Sequence, residues 1–597
     1  MQANAKKDIP LDSFEKNLTP FSKSVLKNRY LLEGETFSDL FWRVAKAYSD
    51  NDDHANRMFH YMSKLWFMPA TPVLSNGGTT RGLPISCFLN ESSDSLQGIV
   101  DLWNENVWLA SKGGGIGSYW GNLRSIGEKV GKNGETSGVI PFMKVMDSMT
   151  LAISQGSLRR GSAAIYLPID HPEVEEFIEI RRPTGGDHNR KALNTHHGIA
   201  ISDEFMEAVE KDEMWPLRSP KDRSIVREVS ARGLWIRILT SRMETGEPYC
   251  LFIDHVQKNQ PDIQKKLGLK VKTSNLCSEI TLPTGLDHLG EERTAVCCLS
   301  SLNLEKFQEW ENDALIVEDC LRFLDNVLED FTARAPSSMK RAIYAAKRER
   351  SVGLGVMGFH SFLQKKNVPF EGVMAKTWNN KIFKHIKNQA DKASKKLALE
   401  KGACPDAQDC GAMERFSNKL AIAPTASISI ICGESSPGIE PYAANAYTHK
   451  TLSGSFPVKN KHLRALLKEK GKDTNEIWSS IIHHHGSVQH LDFLSEHEKN
   501  VFKTAFELNQ NWVVDLAADR QKYICQAQSL NLFLQPTISK KDLHQIHKRA
   551  WEKGLKSLYY ARSLSIQRAE SVQKIDTSNK TEMTPINQNY EECLSCQ

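Results

Sequence analysis

The segment "SNLCSEI" (274–280) places an amide, a thiol and a carboxylate within five residues: Asn275, Cys277 and Glu279. Read as an extended strand, positions i, i+2 and i+4 share a face. These three then point one way, and Leu276, Ser278 and Ile280 the other. On such a face the amide can hold a hydroxyl, the carboxylate can accept its proton, and the sulfur can act as nucleophile or radical carrier. A half-buried strand with a solvated polar face accounts for the same pattern. Downstream, "VCCLSSLNL" (296–304) carries Cys297 and Cys298, of which a strand aims only one at a cavity shared with Cys277. Buried free cysteines also serve as small core hydrophobes. Cys87, in "LPISCFLNESSDSL", is a third candidate thiol. None of these thiols lies in Cys-x-x-Cys spacing, which disfavours a sequence-local zinc site. The terminal "EECLSCQ" does have that spacing, in Cys593 and Cys596. There it reads as half of a metal site or as a redox pair on a chain end, where no packed pocket holds it.

Other stretches carry weaker chemistry. "KGGGIGSYWGNL" (112–123) is glycine-rich, but the segment before it looks helical and no acidic residue follows at the ribose-binding distance, so it is a poor dinucleotide fingerprint. Its glycines suit a close backbone approach to a ligand or a tight turn. "APTASISIICGESSPGIEP" (423–441) sets small hydroxyl residues behind a proline, as phosphate binding at a helix start would use and as an ordinary N-cap also would. "SQGSLRRGSAA" (154–164) puts Arg159 and Arg160 in a Gly/Ser loop, an anion binder or a solvated turn. "HHHG" (483–486) lacks an acidic partner at helical spacing, so a metal there is disfavoured, and no metal is expected elsewhere. Tyr559 and Tyr560 in "LKSLYYARS" read on their own as core or strand tyrosines.

The elements that must position these residues follow from patterning. Residues 1–70 are expected to form a helical N-terminal region, with "TFSDLFWRVAKAYSD" and "ANRMFHYMSKLWF" apolar at helical spacing. From 71 to 565 short apolar runs alternate with amphipathic stretches, as in "HHGIAIS" before "DEFMEAVEKD", whose acidic first turn suits a helix start. That alternation argues an α/β fold with a barrel or a doubly wound sheet at its centre. Residues 566–597 are polar and aperiodic and read as a flexible tail. A coil from Ser565 to Cys593 has a root-mean-square reach of roughly 30 Å, enough to carry the last two thiols into the body of the protein.

The totals set further bounds. The 597 residues are 40% hydrophobic, ample for a large core, and the net charge of +5 is too small and too dispersed for a nucleic-acid footprint. The N-terminus shows no signal-peptide pattern and no run reaches 18 apolar residues, so no membrane span and a cytoplasmic location are expected. Twelve cysteines in a reducing compartment imply catalytic or core thiols rather than a disulfide network.

From about residue 65 onward the chain resembles the large (catalytic, α) subunit of class I ribonucleoside-diphosphate reductase. "ATPVLSNG", "SCFLNESSDSL", "SGVIPF", "RRGSAA", "SNLCSEITLPT", "VCCLSSLNL", "PTASIS" with "GIEP", "DRQKYICQAQSLNLF", "SLYY" and the terminal Cys-x-x-Cys occur in family order at compatible separations. The resemblance implies a ten-stranded α/β barrel with a central finger loop. It implies that Cys277 becomes a thiyl radical and abstracts the 3′ hydrogen of a ribonucleotide. Glu279 would take the 3′-hydroxyl proton and Asn275 would bond the ribose region. It makes Cys87 and Cys297 the dithiol that supplies two electrons, a choice over Cys298 that strand parity alone leaves open. Thr71, Ser86, Gly115, the finger residues Leu276 and Ser278, and Pro424, Thr425, Ala426, Ser427 and Ile428 match substrate-binding positions. The family often has an acidic residue at the place of Ala426. Asp94, Arg159 and Arg160 match the site where dNTP or ATP effectors set substrate specificity. Tyr559 and Tyr560 match a stacked pair that carries the radical inward, with Tyr559 nearer Cys277. Cys593 and Cys596 match a shuttle that re-reduces the active-site disulfide for thioredoxin or glutaredoxin.

The resemblance further implies no covalently bound cofactor, a radical-generating, metal-containing small (β) subunit, and an α homodimer within an α2β2 complex. The short N-terminal region leaves no room for the family's ATP-cone, so no dATP switch of overall activity is expected within this subunit. Two rival readings share part of this pattern. A cobalamin-dependent class II reductase shares the barrel and cysteines but needs no tyrosine relay. A non-catalytic nucleotide-sensing relic would have lost one or more of the cysteines, Glu279 or the tyrosines, all of which are present.

Overall fold

The computed structural model describes residues 15–85, 87–132, 134–155, 159–451 and 454–563. Three helices lead: Pro20–Arg29, Phe37–Ala47 and Asp52–Ser63. The second is begun by a capping box, in which the Thr36 side chain accepts the Asp39 N–H and the Asp39 carboxylate accepts the Thr36 N–H. Its Leu40, Phe41, Val44 and Ala45 recur at helical spacing and are buried.

The centre is a closed barrel of two parallel halves. In the first, Cys87–Glu91, Gly115–Tyr119, Ser162–Pro168, His196–Ile201 and Tyr249–Phe252 pair in that order, all parallel. In the second, Ala295–Asn303 pairs parallel with Val352–Met357. Parallel bridges at Leu354–Leu420 and Ile422–Gln528 continue it, and Leu532–Leu534 pairs parallel with Ala561–Ser563. The halves are joined by two antiparallel seams: Ala295–Cys297 against Cys87–Leu89, and Cys250–Leu251 against Ser557–Leu558. Five segments in each half give the ten-stranded α/β barrel that the resemblance implied. All nine residues of Ala295–Asn303 and all six of Val352–Met357 are buried, because a parallel sheet covered on both faces is apolar on both. Helices such as Leu96–Ser111, Ala231–Thr245, Ile316–Arg334 and Val373–Lys401 connect the strands. A smaller apolar cluster, with Leu463, Leu467, Trp478, Ile481 and Val488, packs in the stretch before the last strands. No described helix is long and apolar enough to cross a membrane.

Two local expectations are corrected. "SNLCSEI" is not a strand: residues 275–278 form a turn in a loop, Ser278 has φ +65°, and the Ser278 N–H bonds the Asn275 carbonyl. The glycine-rich stretch is not only a turn, since Gly115–Tyr119 is a barrel strand. A Cβ on Gly117 would overlap the Ser274 carbonyl oxygen and reach to 2.8 Å from the Asn275 Cα. Its glycine makes room for the 274–280 loop inside the barrel.

Candidate active site

Cys277 sits on that inner loop, buried in a cluster with Tyr119, Ala164, Tyr166, Tyr249, Leu276 and Tyr559. The loop is tied down by side chains. Asn275 Oδ1 accepts the N–H groups of Glu279 and Ile280, each at 3.1 Å, a local side-chain bond that competes with strand formation. The Tyr166 hydroxyl donates to the Asn275 carbonyl at 2.8 Å, and the Ser274 hydroxyl to the Ile280 carbonyl at 2.8 Å. The Ser529 hydroxyl lies 2.6 Å from the Cys277 carbonyl oxygen and 3.0 Å from Glu279 Oε2.

The Glu279 carboxyl is buried, and burial pushes its pKa up to about 7. Its Oε1 is buried with no hydrogen-bond partner, an acceptor open to a hydroxyl that enters the barrel.

Cys87 and Cys297 face each other across the antiparallel seam as a directly opposed pair. Such pairs have Cα atoms about 4.5–5.5 Å apart, inside the range a disulfide spans. Neither is in a disulfide. The Asn275 amide donates to Cys87 Sγ at 3.2 Å, and the Gln526 amide lies 3.6 Å from Cys297 Sγ. Burial, then Cys87 beside it, holds the Cys297 thiol well above the usual range, so it carries its proton at neutral pH. Asn275 is thereby engaged on both ends of its amide, with the loop and with Cys87. Cys298 pairs instead with Val352 and is a buried, high-pKa core thiol.

Tyr559 is buried and Tyr560 half-buried, and their ring centres are 4.2 Å apart. The planes are tilted by 48°, so the rings are in contact without the parallel stacking expected of the pair. Adjacent residues meet because the backbone leaves the strand there: the Tyr559 N–H bonds the Leu530 carbonyl, and the Tyr560 carbonyl accepts from Leu532. Tyr249, its ring centre 4.8 Å from Tyr559 and 5.1 Å from Tyr560, makes a third aromatic. Sequence reasoning missed Tyr249, Ser529 and Gln526. Each sits in an unremarkable strand or loop, and only barrel closure brings it to the site.

Pro424 to Ile428 span the entry to a six-residue helix, Ala426–Ile431. Thr425 precedes it at φ +55°, and its Oγ1 accepts the Gly438 N–H at 2.7 Å. Thr71 opens the Thr71–Asn76 helix and its hydroxyl is 2.8 Å from that of Tyr30. Gly115 pairs with Cys87 on one side and Ser162 on the other. Asp94 is ion-paired to Arg124 at 2.9 Å and lines a cleft of about 320 Å³ with Asn90, Asn122, Lys272 and Arg341. Arg159–Arg160 form a two-residue strand against Ser154–Gln155. Ser86, Cys593 and Cys596 lie outside the described residues. Among the described residues, His288, Asp406 and Asp409 have metal-ligand spacing. Arg293 and Arg348 already pair with those carboxylates, so the group reads as an ion-pair network.

Comparison with known proteins agrees with this geometry. The family model "Ribonucleotide reductase, barrel domain" matches residues 85–414 and 411–561, and "Ribonucleotide reductase, all-alpha domain" matches 16–82. The chain belongs to the ribonucleotide reductase family. It is 40% identical to the ribonucleoside-diphosphate reductase large subunit of Invertebrate iridescent virus 3, over 93% of this chain and 95% of that one. It is 30% identical to the Arabidopsis thaliana large subunit, over 96% of this chain and 82% of the relative. Among solved structures, the Actinobacillus ureae class Id ribonucleotide reductase alpha subunit superposes with a TM-score of 0.82 at 35% identity, covering 92% and 98% of the two chains. These relatives place it among the large subunits of the ribonucleoside-diphosphate reductases, and the class II alternative is not favoured.

Proposed function

We propose that this chain reduces ribonucleoside diphosphates by a thiyl-radical route centred on Cys277, with Glu279 as base and Cys87/Cys297 as reductant. The observation that carries this reading is the convergence, inside one closed barrel, of a buried thiol, a carboxylate with an open oxygen and two opposed thiols. A Cys277 thiyl takes the 3′ hydrogen atom of the ribose. Glu279 accepts the 3′-hydroxyl proton at its open Oε1, which eases departure of the 2′-hydroxyl as water. The protonated Cys87/Cys297 pair supplies two electrons and two protons, one proton to the departing 2′-hydroxyl and one hydrogen to C2′, and ends as a disulfide, while Glu279 returns its proton to the 3′ oxygen. Cys277 then returns its hydrogen to C3′. The helix start at Thr425 to Ile428 suits the diphosphate, because first-turn N–H groups lack intrahelical partners. Thr71, Gly115, Leu276 and Ser278 would complete the substrate wall, and the family resemblance adds Ser86 as a substrate contact.

On this reading the radical originates outside this chain, and the tyrosines support that origin. Tyr560 is half-buried and in ring contact with Tyr559, which packs in the Cys277 cluster, an arrangement suited to relaying a radical from a metal-containing small subunit. Cys593 and Cys596 would regenerate the Cys87/Cys297 dithiol and pass the disulfide to thioredoxin or glutaredoxin. Asp94, Arg159 and Arg160 would bind dNTP or ATP effectors. Leu96, Val100 and Trp108 on one helix, with Val145 and Leu151 on the next, are exposed apolar residues. They suit the α–α contact of an α2β2 assembly. The test is CDP reduction by the purified chain. Turnover with a small subunit and none with adenosylcobalamin alone is expected, and turnover with adenosylcobalamin alone overturns the relay.

A further inference from the structure

One hydrogen-bonded group beside the tyrosines is used by none of the steps above. The His196 Nδ1 lies 2.6 Å from Glu247 Oε1 and 3.1 Å from the Tyr560 phenol oxygen. Glu247 is itself fixed from several directions. Its Oε2 accepts the His197 N–H at 2.9 Å, lies 3.1 Å from His197 Nδ1 and is 3.4 Å from the Arg181 Nε. Arg181 and the two histidines hold this buried carboxyl well below the usual carboxylate range against the cost of burial, so it is ionised. Two lone pairs cannot face each other at 2.6 Å, so Nδ1 carries a hydrogen. That one N–H points at the carboxylate and, on its weaker branch, at the Tyr560 oxygen. On the other side of the ring Arg562 lies over the Tyr560 face at 5.2 Å. The charged and titratable groups around Tyr560 include, among the described residues, Tyr559 and Tyr249 in ring contact, His196 with Glu247 and Arg181, and Arg562 with Glu440 beyond it.

We propose that His196, clamped by Glu247, is a positioning residue for Tyr560. Its Nδ1–H stays on the phenol oxygen during radical transfer and fixes the direction in which that oxygen meets the hydrogen exchanged with Tyr559. This rests on the tyrosine relay proposed above. Once the radical-bearing small subunit has taken a hydrogen atom, proton and electron together, from Tyr560, the Tyr560 phenoxyl takes one in turn from the Tyr559 O–H. The Tyr559 O–H bond breaks, the Tyr560 O–H bond forms, and Tyr559 becomes the phenoxyl. No proton passes to the imidazole, whose hydrogen is there to orient. Without that N–H, the Tyr560 oxygen loses one hold on the direction it presents to Tyr559.

The test traps the radical in the holoenzyme by Tyr560→3-aminotyrosine and reads it by high-field EPR and by ENDOR after exchange into D2O. With His196 present, the radical oxygen should show a hydrogen-bonded exchangeable deuteron and a correspondingly lowered gx. His196→Leu should remove that deuteron and raise gx, and His196→Gln, which can still donate an N–H, should keep it. In chains with Tyr560 intact, turnover should fall about tenfold for the leucine variant and recover in part for the glutamine variant. A merely structural role would lower radical yield without moving gx. Ring-15N histidine in the unsubstituted background gives a reading that survives misfolding of the variants: a nitrogen coupling to the radical supports the contact, and its absence overturns it. A deuteron that persists in His196→Leu also overturns it. If no radical forms at position 560 with His196 intact, the relay falls and this inference with it.

Discussion

With its pKa pushed up to about 7, Glu279 is protonated on roughly half of the molecules at neutral pH. Only the ionised half can take a hydroxyl proton. kcat/KM for a ribonucleoside diphosphate should therefore rise with pH through a limb near 7. Glu279→Gln should abolish the limb and lower the rate about 10²- to 10⁴-fold. Glu440, also buried and raised to about 7, is the control: a limb that survives Glu279→Gln and vanishes in Glu440→Gln would assign it elsewhere. The sign for stability runs the other way. The folded-state value lies above the unfolded one of about 4.3. As pH rises from there to about 7, the unfolded chain ionises first and the folded state loses stability. Glu279→Gln should accordingly raise the melting temperature at pH 8 more than at pH 4. Of the site residues, the thiols, Asn275 and Glu279 were candidates by type, and their roles, with the choice of Cys297 over Cys298, came only from the family resemblance. The partners that set their chemistry were not: Ser529 and Gln526 are about 250 and 230 residues away along the chain from Glu279 and Cys297, to which they bond.

At the scale of elements, the inner loop is possible because the strand beside it has no side chain at Gly117. Gly117→Ala should push the Ser274–Asn275 backbone outward, lower the melting temperature and cut activity about a hundredfold through misplacement of Cys277. Gly372→Ala, where a methyl meets nothing within 4 Å, should change neither in thermal melts and turnover assays run side by side. Strands and helices were readable in the barrel region because buried parallel strands are continuous apolar runs and their connecting helices are amphipathic. The loop was not. "SNLCSEI" alternates like a strand, yet Asn275 Oδ1 takes the two N–H groups a strand would give its neighbour. Likewise, strand geometry sends Tyr559 and Tyr560 to opposite faces. Their contact exists because the chain turns between the Ser557–Leu558 and Ala561–Ser563 strands.

At the scale of the whole molecule, the seams that close the barrel join residues far apart: Cys87 meets Cys297, and Cys250 meets Leu558. Strand–helix alternation announced a barrel or an open sheet without choosing, and the ordered motifs of the family resemblance made the choice. Both thiols of the Cys87/Cys297 pair are buried, so on the proposed route their disulfide would need a carrier. Cys593→Ser with Cys596→Ser should leave one turnover of pre-reduced enzyme intact and abolish steady-state turnover driven by thioredoxin. Unchanged steady-state turnover would remove the shuttle. The account as a whole stands on Cys277, and its most direct measurement is dCDP formed in a single turnover by Cys277→Ser assembled with the small subunit. No dCDP above background, with CDP still bound, is the expected result; dCDP at the wild-type level would contradict the radical role of this thiol.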